Sequence, residues 1–105
     1  APSTSGDTMP KGYIIAHVTV NDPVAYQEYV DNNNRILPPL GGKALVRGGQ
    51  SETPEGDEYQ RHVVFEYPSY EAAKASYYDK EYQKNAEIRF ANAVSMLVLV
   101  EGVPE

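Results

Sequence analysis

The side chains in this sequence that could carry chemistry are arginines, a histidine and tyrosines. Arg47 ends a short apolar run and is followed by two glycines, and Arg61 lies near the start of the next apolar run. Two guanidinium groups that converge can bind a carboxylate or phosphate through paired hydrogen bonds. We therefore predict that Arg47 and Arg61 bind an anionic ligand. Salt bridges to nearby acidic residues remain the alternative for both arginines: Glu52, Glu55, Glu58 and Glu66.

The candidate for proton transfer is His17, which lies in the middle of an apolar run. Imidazole exchanges a proton near neutral pH, so we predict a catalytic role, with a hydrogen-bonded core histidine as the alternative. His62 has the opposite parity from Arg61, and we expect it to be exposed or at an interface. The two histidines lack the spacing of a metal-binding motif, so the sequence predicts no metal site.

Tyrosine is abundant, with nine Tyr against two Phe and no Trp. Several of these residues fall in segments with helical spacing: Tyr26, Tyr29, Tyr77, Tyr78 and Tyr82. A tyrosine hydroxyl can donate a hydrogen bond to a developing oxyanion. We predict that Tyr26 and Tyr77 orient a ligand, and packing alone is the alternative for each. Arg89 either pairs with Glu87 or closes the same pocket with a cation.

Length and composition indicate one small globular domain. The chain has 105 residues, a formal net charge of −6 and no cysteine. The negative charge argues against binding to nucleic acid or to an anionic membrane. The absence of thiols excludes disulfides and is typical of a reducing compartment, so we expect a cytoplasmic protein. We interpret residues 1–8 as an expression scar or disordered leader and residues 9–105 as the domain.

The apolar patterns predict four strands and two helical regions in the order β-α-β-β-α-β. Helix starts are indicated by capping residues at Asp22, Ser69 and Asp79. This order predicts an α+β, ferredoxin-like sandwich, a four-stranded antiparallel sheet with helices on one face. The predicted strands cover residues 12–20, 41–49, 59–67 and 94–102.

Both faces of the predicted strands are largely apolar. In the first strand, Ile14, Ala16 and Val18 alternate with Ile15 and His17, so neither face suits full exposure to water. Helices on one face of the sheet leave the other face uncovered. We therefore predict a homodimer that forms through the open sheet faces.

The chain resembles the bacterial family known as domain of unknown function 1330, from Lys11 to Gly102. The resemblance rests on "KGYIIAHV", "DPVAYQEYV", "LVRGG" followed by "EG", and "YYDKEYQ". Two positions depart from the usual family pattern, Ile14-Ile15 and Asp79-Lys80, and both could alter a pocket wall. The resemblance implies a dimeric α/β-barrel. Proteins with that barrel include cofactor-free oxygenases, heme-handling enzymes, isomerases and stress-response proteins.

Taken together, the residues suggest a protein that binds a small anionic or phenolic metabolite between its sheet and its helices. If the protein is an enzyme, we expect proton transfer or oxygenation without a cofactor, because the sequence shows no thiol, metal motif or nucleotide-binding loop. The alternative is a non-catalytic dimeric binding or stress-associated protein in which the arginines are structural. The sequence does not decide between the two.

Overall fold

The computed structural model describes residues 10–104, so the predicted leader at residues 1–8 lies outside the described part. The element order β-α-β-β-α-β is confirmed, with the second helical region divided into two helices. Within residues 10–104, no helix is both long enough and apolar enough to span a bilayer. The elements are β1 (Gly12–Val20), α1 (Pro23–Ile36), a short 3-10 turn (Pro38–Leu40), β2 (Lys43–Arg47), β3 (Arg61–Tyr67), α2 (Tyr70–Tyr77), α3 (Lys80–Asn92) and β4 (Ala93–Glu101).

The four strands form one antiparallel sheet in the order β2-β3-β1-β4. The first strand is central and pairs with both β3 and β4, so that Ile15 lies opposite Val64 on one side and Val98 on the other. The ferredoxin-like α+β fold predicted from the sequence is confirmed.

Each helix starts at the residue that the sequence predicts as its cap. The Asp22 side chain accepts a hydrogen bond from the backbone amide of Ala25, and Pro23 occupies the first helical position. Ser69 accepts one from Ala72 at 3.1 Å. The Asp79 carboxylate accepts two, from the amides of Glu81 and Tyr82, and so separates α3 from α2. These caps set where each helix begins to cross the sheet.

The core lies between the helices and one face of the sheet. Ile14, Ala16 and Val18 of β1 are buried on this face, which we call the helix face. Tyr67 of β3 is 1% exposed, and its hydroxyl lies 2.8 Å from the Ser76 hydroxyl of α2. A buried phenol needs such a partner, because an unpaired polar group in a dry core is costly.

The opposite side of the sheet, the open face, has no helix over it. Alternate residues of β4 point to this side and are between 41% and 59% exposed: Val94, Met96, Val98 and Val100. Their neighbours Ile15 and Val64 are half-buried apolar residues of β1 and β3. The expectation of a sheet that is apolar on both faces is confirmed.

Strand β2 differs from the prediction. It covers only Lys43–Arg47, and a β-bulge lies between Ala44 and Val46. The bulge inserts Leu45 without a partner, so Lys43 pairs with Glu66 on the open face whereas Arg47 pairs with Val63 on the helix face. Simple alternation along the strand would place Lys43 and Arg47 on one face, and the bulge instead places them on opposite faces.

We expect the Gly12→Ala substitution to destabilise the fold. A Cβ at position 12 would lie 2.3 Å from the backbone carbonyl oxygen of Ser69, so the strand and the start of α2 would have to separate. Overpacking of this kind costs about 1–3 kcal/mol. Chemical denaturation measures the loss. Gly49→Ala is the matched control, because a Cβ there meets no atom within 4 Å. Equal stability of the two variants would contradict this account of the packing.

Candidate functional site

A cavity lies between the helix face of the sheet and the helices. Its volume is about 50 Å³. The floor is apolar and comes from β1, β3 and β4, and the roof carries aromatic side chains from all three helices. A water molecule needs roughly 10–15 Å³ of such space. The cavity therefore holds a few waters or a small anion, and a larger ligand would require the walls to move apart.

Three arginines line this cavity at different depths. Arg47 is exposed at the end of β2, Arg61 is half-buried at the start of β3, and Arg89 of α3 is 3% exposed. Arg47 and Arg61 come from neighbouring strands and share the helix face. No aspartate or glutamate among residues 10–104 lines the cavity. Within the described part of the chain, the cavity is therefore lined by cationic residues and by no acidic one.

The position of Arg61 depends on Gly48. This glycine follows β2 with φ +67°, a left-handed conformation that glycine adopts without strain, and its amide donates to the His62 carbonyl at 2.8 Å. A Cβ at position 48 would lie 2.8 Å from a terminal nitrogen of Arg61. Gly48 thus leaves the space in which the Arg61 guanidinium lies. The Nε of Arg61 is buried and has no hydrogen-bond partner in the described part of the chain.

Arg89 is a cation held inside the core. One terminal nitrogen donates to the Ser95 hydroxyl, and the guanidinium lies 5.8 Å from the ring centre of Tyr29 and 4.8 Å from that of Phe90. Burial alone would lower the pKa of Arg89, but Tyr29 and Tyr82 outweigh it, so the pKa is raised and the group stays charged. Its Nε has no partner within residues 10–104.

No counter-ion for these arginines is visible in the described structure. The ion pair found within residues 10–104 joins Arg35 to Glu81 at 2.9 Å, on the surface and away from the cavity. Neither the predicted alternative of salt bridges from Arg47 and Arg61 to nearby glutamates nor a pair between Arg89 and Glu87 is present in that range. A buried cation without an anion is costly, and a bound anion would remove that cost.

Tyrosines form the aromatic side of the cavity. The hydroxyls of Tyr29 and Tyr82 lie 2.8 Å apart, and the ring of Tyr26 lies 5.3 Å from that of Tyr29. The ring centre of Tyr77 lies 5.6 Å from the ring centre of Tyr82. Burial and the nearby Tyr29 raise the pKa of Tyr26, which Arg61 and Arg89 only partly offset. Tyr26 and Tyr82, whose pKa is also raised by burial, are therefore neutral phenols that can donate hydrogen bonds.

Amide side chains hold the roof of the cavity together. The Asn85 side chain of α3 donates to the Asn33 side-chain oxygen at 2.9 Å and to the Tyr29 carbonyl at 3.1 Å. Both asparagines are buried. These bonds connect α1 to α3 and fix the helices that carry Tyr29 and Arg89.

His17 does not reach this cavity. It lies on the open face, directly opposite His62 of β3 and Met96 of β4, whereas Arg47 and Arg61 lie on the helix face. The sheet therefore separates His17 from any ligand that the two arginines would hold, and a catalytic role for His17 stays a prediction. His17 instead forms a hydrogen bond with the half-buried His62, with the two Nδ1 atoms 2.7 Å apart.

Four of the five residues selected from the sequence line one cavity: Arg47, Arg61, Tyr26 and Tyr77. Whether they bind a ligand stays a prediction. Arg89 also lines this cavity, although the sequence left its role open between a pair with Glu87 and a cation in the pocket. The buried residues of α3 show the signal that could have selected it, because Tyr82, Asn85, Ala86 and Arg89 recur at helical spacing.

A family model described as "Domain of unknown function (DUF1330)" matches residues 11–103. The chain belongs to this family. The resemblance seen in the sequence is thus confirmed. No curated protein sequence matches the chain.

Several solved structures have the same fold as this chain. The RPA0582 protein of unknown function from Rhodopseudomonas palustris is 20% identical, with a TM-score of 0.73 over 96% of this chain and 88% of its own. A dimeric ferredoxin-like protein of unknown function from Thermobifida fusca is 12% identical, with a TM-score of 0.64 over 96% and 99%. SnoaB, a cofactor-independent oxygenase from Streptomyces nogalater, is 11% identical, with a TM-score of 0.62 over 91% and 96%. At such identities the likeness shows the fold alone.

Because three buried tyrosines have raised pKa values, we expect the free energy of unfolding to fall at alkaline pH. The pKa values of Tyr26, Tyr67 and Tyr82 are raised above the ordinary 10.0, so above about pH 10 the unfolded chain releases protons that the folded chain keeps. These groups should leave the free energy of unfolding level below about pH 9 and make it fall above about pH 10. Urea denaturation at a series of pH values measures this. Tyr82→Phe should give a shallower fall, and an unchanged slope in that variant would contradict the assignment.

Proposed function

We propose that this protein binds a small organic anion in the cavity between its sheet and its helices. The observation that carries the proposal is that Arg47, Arg61 and Arg89 line one cavity, to which none of residues 10–104 contributes a carboxylate. Two of these guanidinium groups also have a buried Nε with no partner in the described residues. Buried donors are nearly always paired in proteins, so two donors without an acceptor on residues that line one cavity favour a ligand oxygen.

The arrangement suits a carboxylate best. Arg47 is exposed, Arg61 is half-buried and Arg89 is buried, so an anion that enters from solvent would meet guanidinium groups at increasing depth. A carboxylate can accept from guanidinium groups and still accept from a phenol such as Tyr26 or Tyr77. The volume of about 50 Å³ favours a compact acid. A phenolic ligand is the larger option and needs the helices to move outward.

The geometry favours binding over catalysis. No histidine or carboxylate among the described residues lines the cavity, and the raised pKa values of Tyr26 and Tyr82 make those phenols poor bases. SnoaB has the same fold and is a cofactor-independent oxygenase, which keeps oxygenation as the catalytic version of the proposal. In that version the arginines would stabilise an enolate or phenolate oxygen of the substrate. The non-catalytic version requires only the ligand.

Removal of Arg47 tests the binding site. We expect Arg47→Ala to weaken the binding of small carboxylates at least tenfold, because hydrogen bonds to charged groups contribute about 1.5–3 kcal/mol each. Calorimetric titration of acetate, pyruvate, succinate and benzoate measures the affinity. Arg35→Ala is the matched control, since Arg35 pairs with Glu81 outside the cavity. A lower melting temperature with unchanged affinity would assign Arg47 a structural role and refute the proposal.

We also propose that two copies of the chain associate through their open faces. The apolar residues of this face lie in rows, and the β4 row alone contains four side chains that are more than 40% exposed. The dimeric ferredoxin-like protein from Thermobifida fusca has this fold and is described as a dimer. Burial of such a face against a second copy would remove a large apolar surface from water.

A charge placed at the centre of the open face should separate the copies. Val98 lies opposite Ile15 and is 46% exposed, so Val98→Asp would place a carboxylate within the proposed interface. We expect sedimentation velocity to show dimers for the unmodified chain and monomers for this variant. Val24→Asp changes an exposed valine of α1 and should leave the dimer intact. Monomers of the unmodified chain at micromolar concentration would contradict the proposal.

A further inference from the structure

The open face contains a second concave site, which is separate from the arginine-lined cavity. A depression of about 310 Å³ lies at one end of this face, between the sheet and the loop that joins β2 to β3. His17 and His62 line it from neighbouring strands. The loop contributes two carboxylates, Glu55 and Asp57, and the phenol of Tyr59. Imidazole nitrogens and carboxylate oxygens together are the donor set of many divalent metal sites.

The two imidazoles face each other through potential ligand atoms. Their Nδ1 atoms are 2.7 Å apart and the ring planes are nearly perpendicular, at 73°. One Nδ1 must carry a proton and donate it, and the other must accept with its lone pair. A single proton thus lies between two atoms that both bind metals once they are deprotonated. A cation that replaced this proton would be held by both rings.

We propose that His17 and His62 bind a divalent copper or nickel ion in tetragonal geometry. With metal–nitrogen distances of roughly 2.0–2.1 Å, two nitrogens at a right angle are about 2.9 Å apart, and at a tetrahedral angle they are about 3.3 Å apart. The observed separation of 2.7 Å needs a small opening for the first geometry and a larger one for the second. For a given set of nitrogen and oxygen donors, Cu²⁺ binds most tightly among the divalent ions of the first transition row, so we expect Cu²⁺ to be preferred over Ni²⁺ and Zn²⁺.

The rest of the coordination sphere comes from outside the histidine pair. Within the described residues, no group of three or more His, Asp or Glu side chains is arranged to hold a metal. Two positions are thus supplied by protein nitrogens, and water completes the sphere unless the loop brings Glu55 or Asp57 closer. A tetragonal ion accepts such a mixed set of nitrogen and oxygen ligands.

This site is independent of the proposed anion site, because the two lie on opposite faces of the sheet. It lies at one end of the open face, which is also the face of the proposed dimer, so the Cu²⁺ titration is paired with sedimentation velocity on the same sample. The sequence also makes the test simple. The chain has two histidines and no cysteine, so no thiolate and no other imidazole competes for the metal. The spacing of the two histidines along the chain hid the pair, because His17 and His62 meet only across the β1–β3 register.

Titration with Cu²⁺ tests the proposal on the full chain. We expect one Cu²⁺ ion per chain, with an electron paramagnetic resonance spectrum that shows coupling to two imidazole nitrogens. Each of His17→Gln and His62→Gln should remove one nitrogen from the spectrum and weaken the affinity at least tenfold. Ni²⁺ should bind in the same place and broaden the proton resonances of both histidines. Zn²⁺ should bind more weakly than Cu²⁺.

Two further variants keep the result interpretable. The double variant His17→Gln, His62→Gln should lose the site, and any Cu²⁺ that it still binds belongs to other donors such as the chain terminus. Glu66→Gln removes a carboxylate from the same face outside the depression and should leave Cu²⁺ binding unchanged. Circular dichroism confirms that each variant is folded. Equal Cu²⁺ affinity and an equal spectrum in the unmodified chain and the folded double variant would overturn the proposal.

Discussion

The helices of this chain lie against one face of its four-stranded sheet, while the sheet carries apolar side chains on both faces. On the helix face this arrangement creates a covered layer that contains a small cavity. On the other face it leaves valines and a methionine of β4 in contact with solvent. Exposed apolar surface of this extent favours burial. The fact that the helices cover only one of two apolar faces therefore explains both the cavity on the covered face and the proposed association of two copies through the other face.

Charge inside the covered layer is the least expected feature. Arg89 is almost fully buried, and what surrounds it is a serine hydroxyl, phenol groups and aromatic rings rather than a carboxylate. Such partners reduce the cost of a buried cation without neutralising it. The cavity therefore keeps a positive potential that an internal salt bridge would have cancelled. A protein that only needed stability at this position would be better served by an apolar residue.

The fold was predictable because its signals are local. Asp22, Ser69 and Asp79 cap helices at the positions that the sequence indicates, and the alternating strands follow directly. The site was predictable only in part. Alternation along β3 separated Arg61 from His62, but it could not place His17 relative to the arginines, because the assignment of a whole strand face depends on which layer covers it. Pairing across strands decides that, and pairing is not local.

The face on which Arg47 lies depends on the one extra residue that the bulge adds to β2. After Leu45, the alternation of side chains between the two sheet faces is shifted by one residue. The Arg47 guanidinium therefore lies on the helix face, whereas Lys43 lies on the open face. Loss of that single extra residue would redirect Arg47 to the solvent side while every amino acid type in the pocket stayed the same. Relatives that differ by one residue in this strand can therefore direct this guanidinium to opposite sides of the sheet, although they contain the same types of pocket residue.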